Sequence, residues 1–219
     1  MDKNAQIPLP LTYRNAYQRE DFLVAPCNQD AITWLDSYPN WPHSMLLLLG
    51  APASGKTHLA SVFTKDLYRA KDLTFEDIPY LPTACAIEDI DEVGVDETTL
   101  FHLYNYTAES NKKVLLTARS MPLWKLPDLK TRMSTIPTVK IGLPNDMVII
   151  SLILKGLSER ELNIESGVID YVLKRIERSF WAIQQFVETA QSLSLATRRS
   201  VTIPLAKEAL ELIAKQKLI

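Results

Sequence analysis

The chain has 219 residues, 47% of them apolar, two cysteines and a formal net charge of −2. That length holds one domain, or a core domain with a small second one, and the mixed charge without a long basic run argues against a chain that wraps nucleic acid. No secretory leader is recognisable and no apolar run approaches the ~18 residues of a membrane span, so a soluble cytoplasmic protein is the expectation.

The first dozen residues carry little periodic pattern. Pro8 and Pro10 alternate with Ile7, Leu9 and Leu11, which favours an extended segment. Gln6 to Leu11 reads as a linear docking motif, as an arm packed on its own domain, or as a disordered end. Tyr17 to Val24 is rich in aromatic and aliphatic residues, and Asn28 is a good N-cap. A helix is predicted from about Gln29 to Tyr38, with Ile32 and Leu35 on one face, stopped by Pro39 and Pro42.

Met45 to Leu49 is a buried-strand run. It leads into Gly50-Ala51-Pro52-Ala53-Ser54-Gly55-Lys56-Thr57, which satisfies GxxxxGK[ST] at every fixed position. A helix is predicted from His58 to Arg69, with Leu59, Val62, Phe63 and Leu67 on its apolar side. A short strand at Leu73–Phe75 precedes the breakers Pro79 and Pro82. Ala84–Ile87 is a second buried strand and ends in Glu88-Asp89. Asp96 caps a helix running to about Ser110 with Leu100, Leu103, Tyr104 and Thr107 inward. Strands at Val114–Thr117 and Thr138–Ile141 flank a short helix at Pro127–Ser134. Alternation of strand and helix implies an α/β fold with a parallel sheet flanked by helices. After a hinge at Gly142-Leu143-Pro144, four helical patterns follow without strands, at about 145–157, 165–176, 179–196 and 204–217. The expected domains are a tail over 1–12, a nucleotide-binding α/β domain over 13–142 and a small all-helical lid over 143–219.

The chemistry follows from the strand–loop–helix around Lys56. Gly50 and Gly55 let the backbone curl so that its N–H groups face phosphate oxygens, and the helix N-terminus adds a positive dipole end. Gly50, Ala51, Ser54, Gly55, Lys56, Thr57 and His58 are therefore nucleotide-binding candidates. Lys56 reaches the β- and γ-phosphates and Thr57 offers its hydroxyl to Mg²⁺. The bland alternative is a glycine-containing loop that binds nothing. Glu88 is the expected Mg²⁺-side carboxylate and Asp89 the group that orients or activates water. Glu stands where Asp is usual, and Asp where Glu is common. Because Asp91, Glu92, Asp96 and Glu97 follow, a merely solvated acidic turn is the alternative. Thr117, at the end of its strand, is a candidate polar sensor of the γ-phosphate, or simply a strand threonine. Arg132 occupies a helix from which an arginine enters a neighbour's site in oligomeric ATPases; taken alone, it reads as a surface or ion-paired arginine. Cys85, inside an apolar run, is expected to be a buried free thiol, which suits a reducing compartment.

In their order these pieces resemble the DnaA-related AAA+ proteins, and more closely the Hda (HdaA) family of regulatory inactivators of DnaA. Gly-Lys-Thr-His-Leu at 55–59 is similar to the DnaA-type phosphate loop and helix start. Asp21-Phe22-Leu23-Val24 followed by Asn28 resembles the adenine-side segment, which adds Val24 to the nucleotide site. Leu126 to Arg132 resembles the arginine-finger region and puts Arg132 at the finger. Arg199 to Pro204 looks like the last loop-to-helix segment, and Gln6 to Leu11 like the sliding-clamp motif, with Gln6, Leu9 and Leu11 as its contacts. DnaA carries a helix-turn-helix domain after its lid; this sequence ends at Ile219 after the lid pattern, so direct sequence-specific DNA binding is not expected. The interval between the phosphate-loop helix and Glu88 is shorter than in DnaA, which implies a reduced strand. Trp181 stands where the family has a second-sensor arginine, and Arg178 lies about a turn away.

The resemblance implies an AAA+ fold holding ADP or ATP with Mg²⁺. It implies DnaA and the β sliding clamp of DNA polymerase III as partners, homo-oligomers as an option, and no membrane. It further implies weak intrinsic turnover, with Arg132 and Asp89 as the catalytic candidates and Arg132 acting on ATP held by DnaA. A self-contained AAA+ ATPase, such as a helicase loader resembling DnaC, is the alternative.

Overall fold

A computed structural model of the chain describes residues 23–216. The chain forms two compact units that divide between Gly142 and Leu143. In the first, helix α1 (Gln29–Asp36) precedes strand β1 (Met45–Leu49), helix α2 (Lys56–Phe63) and strand β2 (Leu67–Arg69). A 3₁₀ turn over Phe75–Tyr80 leads to β3 (Ala84–Glu88), α3 (Glu97–Ser110), β4 (Lys113–Ala118), α4 (Pro127–Met133) and β5 (Thr138–Lys140). The five strands lie in the order β2-β3-β4-β1-β5, and every pairing is parallel.

The burial pattern explains this order. β1 and β4 sit inside the sheet and are continuous apolar runs, with Met45, Leu46, Leu47, Val114, Leu115 and Leu116 all fully buried. A strand covered on both faces reads as unbroken hydrophobicity. The edge strands β2 and β5 have three residues each. β5 alternates, with Val139 inward and Thr138 and Lys140 exposed. Short, charged edges leave little backbone open to foreign strands. Parallel strands need helical crossovers, and α3 is the longest of these. Its Leu100, Leu103, Tyr104 and Thr107 are buried as their spacing predicts, and Asp96 caps it by accepting from the Thr98 and Thr99 N–H groups.

Two expectations fail between residues 63 and 80. The helix after the phosphate loop stops at Phe63 instead of running to Arg69. Thr64 is extended, its hydroxyl donates to the Ala84 carbonyl, and Asp66 C=O accepts the Ala86 N–H. Those bonds pull residues 67–69 into the sheet as the reduced strand β2. Leu67 falls four residues after Phe63 and so mimics a helical face. Leu73–Phe75 is not a strand; a capping box, in which Thr74 and Asp77 bond each other reciprocally, starts the 3₁₀ turn there.

The second unit holds α5 (Asp146–Ser158), α6 (Val168–Leu173), α7 (Phe180–Thr197) and α8 (Ile203–Gln216) around a core centred on Ile149, Ile153, Phe186, Ala190 and Ala209. Asn145 and Ser179 cap α5 and α7 by accepting backbone N–H groups. α6 is shorter than the pattern predicts. Residues 163–165 instead pair with Val201 through an isolated parallel bridge between two loops of this unit. No helix among the described residues is long and apolar enough to cross a membrane.

Candidate functional site

The site is built where β1, β3 and β4 end. β1 delivers Gly50, whose N–H donates to the Ala118 carbonyl at the end of β4, at 3.1 Å. A Cβ on Gly50 would lie 2.5 Å from Ser54 Oγ and 3.2 Å from Ile141 Cβ, so only glycine fits this turn. Ala53 (φ 61°) and Gly55 (φ 89°) are left-handed, and that curl turns successive N–H groups to one side. Ser54 Oγ is buried without a partner. A buried hydroxyl left unsatisfied inside a loop of converging N–H groups fits a phosphate oxygen.

Lys56, at the start of α2, is 8% exposed. Its ammonium donates to the Gly50 carbonyl at 2.7 Å and the Ala51 carbonyl at 3.2 Å. Burial lowers its pKa, and the nearby Asp89 and Asp91 charges oppose that shift. Thr57 is exposed beside it and His58 half-buried. Their places agree with an anion at the N-terminus of α2.

The acidic stretch follows β3. Asp89 has a left-handed backbone (φ 57°), a conformation that costs a non-glycine residue energy and concentrates at functional sites. Its N–H donates to Thr117 Oγ1 at 3.2 Å, and the Ile90 N–H donates to the Thr117 carbonyl. Thr117 is 1% exposed, so it ties the ends of β3 and β4 together, and its hydroxyl still has a proton to donate. Glu88 Oε1 is buried and unpartnered. Asp89 lies 3.9 Å from an Arg69 nitrogen. Among the described residues no cluster of three metal-ligating side chains exists. The Thr57 hydroxyl and the Glu88 carboxylate, two oxygen donors, fit a Mg²⁺ that draws its other ligands from phosphate and water.

Asp91 belongs to this site and was read only as part of an acidic turn. Its carboxylate accepts the Arg119 N–H at 3.0 Å and adds negative charge near Lys56. Val24, on the segment expected at the adenine, is half-buried. The Asn28 side chain holds that segment: Oδ1 accepts the Ala25 N–H and Nδ2 donates to the Leu23 carbonyl. Asn28 thus spends its side chain on the preceding loop instead of capping α1. The Gly142 N–H donates to the Cys27 carbonyl, and the Ile141 N–H to the Leu49 carbonyl, so two bonds carry this segment to the start of the phosphate loop. Cys85 is a buried free thiol whose pKa is pushed up to about 12 by burial, which leaves it unreactive.

Arg132 stands apart. It is exposed near the end of α4 and makes no ion pair among the described residues. Its guanidinium lies 5.4 Å from the centre of the Tyr104 ring. In the second unit Trp181 is half-buried and lines a cleft of about 320 Å³ with Arg175, Leu210 and Ile213, while Arg178 pairs with Asp146. Gln6, Leu9, Leu11, Asp21 and Phe22 lie outside the described residues.

Residues 150–210 match the family model described as the Hda lid domain. The chromosomal replication initiator protein DnaA of Buchnera aphidicola subsp. Cinara cedri is 24% identical over 98% of this chain, which spans 57% of that protein's length. Domain III of DnaA from Thermotoga maritima superposes with a TM-score of 0.72 at 17% identity, over 91% of this chain and 98% of that one. A DnaA bound to AMPPCP and single-stranded DNA superposes with a TM-score of 0.62 at 18% identity, over 85% of this chain and 69% of that one.

Proposed function

We propose, the chain being an Hda/DnaA-related AAA+ protein, that it is a negative regulator of replication initiation. In this reading it holds ADP, docks on the sliding clamp through Gln6, Leu9 and Leu11, and presents Arg132 to ATP bound on DnaA. The observation that carries it is Arg132 itself. An always-charged guanidinium is left exposed over the Tyr104 ring and makes no ion pair among the described residues. Such a group is available to an anion on a partner.

The roles divide as follows. Gly50, Ala51, Ser54, Gly55 and His58 surround the phosphates, with Lys56 supplying charge and Val24 flanking the base. When bound, Mg²⁺ neutralises phosphate charge, and Thr57 and Glu88 would hold it. Thr117 and Asp89 face the γ-phosphate side. Glu88 in place of the usual Asp, and the short Asp89 side chain where Glu is common, leave the chain's own hydrolysis slow. Stimulation then comes from Arg132 in the partner's site, where an arginine finger is worth ~10³-fold or more in rate.

The test is hydrolysis of DnaA-bound ATP in the presence of clamp and DNA. Arg132→Ala should lower the stimulated rate ~10³-fold; a rate equal to wild type removes the proposed role. Replacing Gln6 and Leu9 with Ala should abolish clamp binding in a direct binding assay, and unchanged affinity rejects the motif. The unpartnered Glu88 carboxylate favours one rival, a self-contained ATPase of the helicase-loader kind. That rival requires sustained turnover by the isolated chain, abolished by Lys56→Ala.

A further inference from the structure

α4 is seven residues long and has no side-chain N-cap. Pro127 at its first position suits a helix start, but the N-cap residue Leu126 has no side-chain acceptor to hold the turn that leads into it. Glu97, at the first position of α3, does this from outside. Its carboxylate accepts the Lys125 N–H at 3.0 Å and the Leu126 N–H at 2.7 Å, and it places negative charge at the positive end of α4.

Seven residues on, two turns along the same face of α3, Tyr104 meets the other end of α4. A directed chain of hydrogen bonds passes through it. The Met45 N–H donates to His43 Nδ1 at 3.0 Å, so Nε2 must carry the ring proton. His43 Nε2 lies 3.2 Å from the Tyr104 hydroxyl, which lies 3.0 Å from Thr135 Oγ1. Thr135 donates its single proton to the Arg132 carbonyl at 2.7 Å. Each link then has one direction: His43 donates to Tyr104, Tyr104 to Thr135, and Thr135 to Arg132. Tyr104 is 8% exposed, and its ring face lies beneath the Arg132 guanidinium at a distance suited to a cation–π contact.

We propose that α3 positions Arg132: Glu97 fixes the start of α4, while Tyr104 fixes its end and supports the guanidinium from below. The proposal rests on the reading of Arg132 as the group offered to a partner's nucleotide. Glu97, Tyr104 and Thr135 are positioning residues. They touch no nucleotide; they hold the arginine ready, so that little ordering is left for the moment of contact.

The experiment has two readouts. One is clamp- and DNA-dependent hydrolysis of DnaA-bound ATP, as maximal rate and half-saturating chain concentration. The other is the NMR shift of the Arg132 side-chain protons, which the Tyr104 ring current displaces upfield in the free chain. Tyr104→Leu should abolish that displacement and lower the maximal rate about tenfold with the half-saturating concentration unchanged. Tyr104→Phe should keep the displacement and lose only part of the rate. Thr135→Val breaks the chain at an exposed residue, so it stands in should the Leu variant fail to fold. Glu97→Ala should lower the rate about tenfold, and Glu97→Gln, which keeps an acceptor, should restore most of it. Wild-type rates in folded Tyr104→Leu and Glu97→Ala, with unmoved Arg132 resonances in Tyr104→Leu, overturn the positioning while Arg132→Ala still abolishes stimulation. No effect of Arg132→Ala removes the underlying reading and the proposal with it.

Discussion

Replacing Lys56 with Met separates the binding role of the phosphate loop from its structural role. Lys56 is 8% exposed, and its ammonium bonds to two loop carbonyls, at 2.7 and 3.2 Å. It therefore sits at the centre of the loop before any phosphate arrives. Removing a charge-assisted contact to a desolvated anion costs about 2–4 kcal/mol, which is a ~30- to ~700-fold loss of nucleotide affinity. Stability of the ligand-free protein should move far less. Met keeps the unbranched apolar stem, and the two lost hydrogen bonds are offset by the burial penalty of the charge, leaving a change of about 1 kcal/mol or less. The sign with pH follows from burial, which lowers the Lys56 pKa. Ligand-free wild type holds this proton less tightly than the unfolded chain does, so it should gain stability on the alkaline side, and Lys56→Met should not show that gain. Isothermal titration with ADP and thermal unfolding of the ligand-free protein measure both quantities. Equal affinity refutes the placement of Lys56 at the phosphates. A collapse of ligand-free stability shows that the lysine is mainly structural.

Two further perturbations test other parts of the fold. Burial, with Lys113 adding to it, lowers the pKa of His43 from its ordinary 6.5. Below that pH the unfolded chain takes up a proton that the fold resists. Stability should therefore fall as pH drops from about 6.5 toward the folded value, at no more than ~1.4 kcal/mol per pH unit, and His43→Asn should flatten that slope in acid denaturation. In the second unit Gly156 lets α5 approach α7: a Cβ there would lie 3.0 and 3.1 Å from the two Val187 methyls. Gly156→Ala gains about 1 kcal/mol of helix propensity and meets an overpacking cost of about 1–3 kcal/mol. A net loss of up to about 2 kcal/mol in chemical denaturation, recovered by adding Val187→Ala, is the expected result.

The interior strands were legible because burial on both faces writes an unbroken apolar run, as at Met45–Leu49 and Val114–Leu116. The phosphate loop was legible because each fixed position answers a backbone demand, Gly50 by close approach and Gly55 by positive φ. β2 was not. A three-residue edge strand is too short to show a period, and Leu67 happened to continue the spacing of the preceding helix. The bridge between Ile164 and Val201 was equally hidden, since pairing across 37 residues leaves no local mark. The long helix α3 declared itself through cap and face together.

The acidic turn shows why composition alone undervalued the region after β3. Three contacts join residues 28 apart: the Asp89 N–H to Thr117, Asp91 to the Arg119 N–H, and Glu97 to the Lys125 N–H. Equal separations arise because β3, α3 and β4 form one crossover unit, so the turn after β3 lies alongside the turn after β4. Carboxylates that look like a solvated run therefore include acceptors for the backbone of the loop leading into α4. The same run begins at the unpartnered Glu88 carboxylate and the Asp89 backbone on the phosphate side, and it ends at Glu97, against the start of α4. A single loop pairing thus connects the nucleotide end of the sheet to the helix that carries Arg132. The acidic positions consequently cannot be exchanged as a class. Loss of Glu88 or Asp91 acts on the phosphate side, whereas loss of Glu97 acts on the placement of α4, even though the local sequence presents them as one patch of charge.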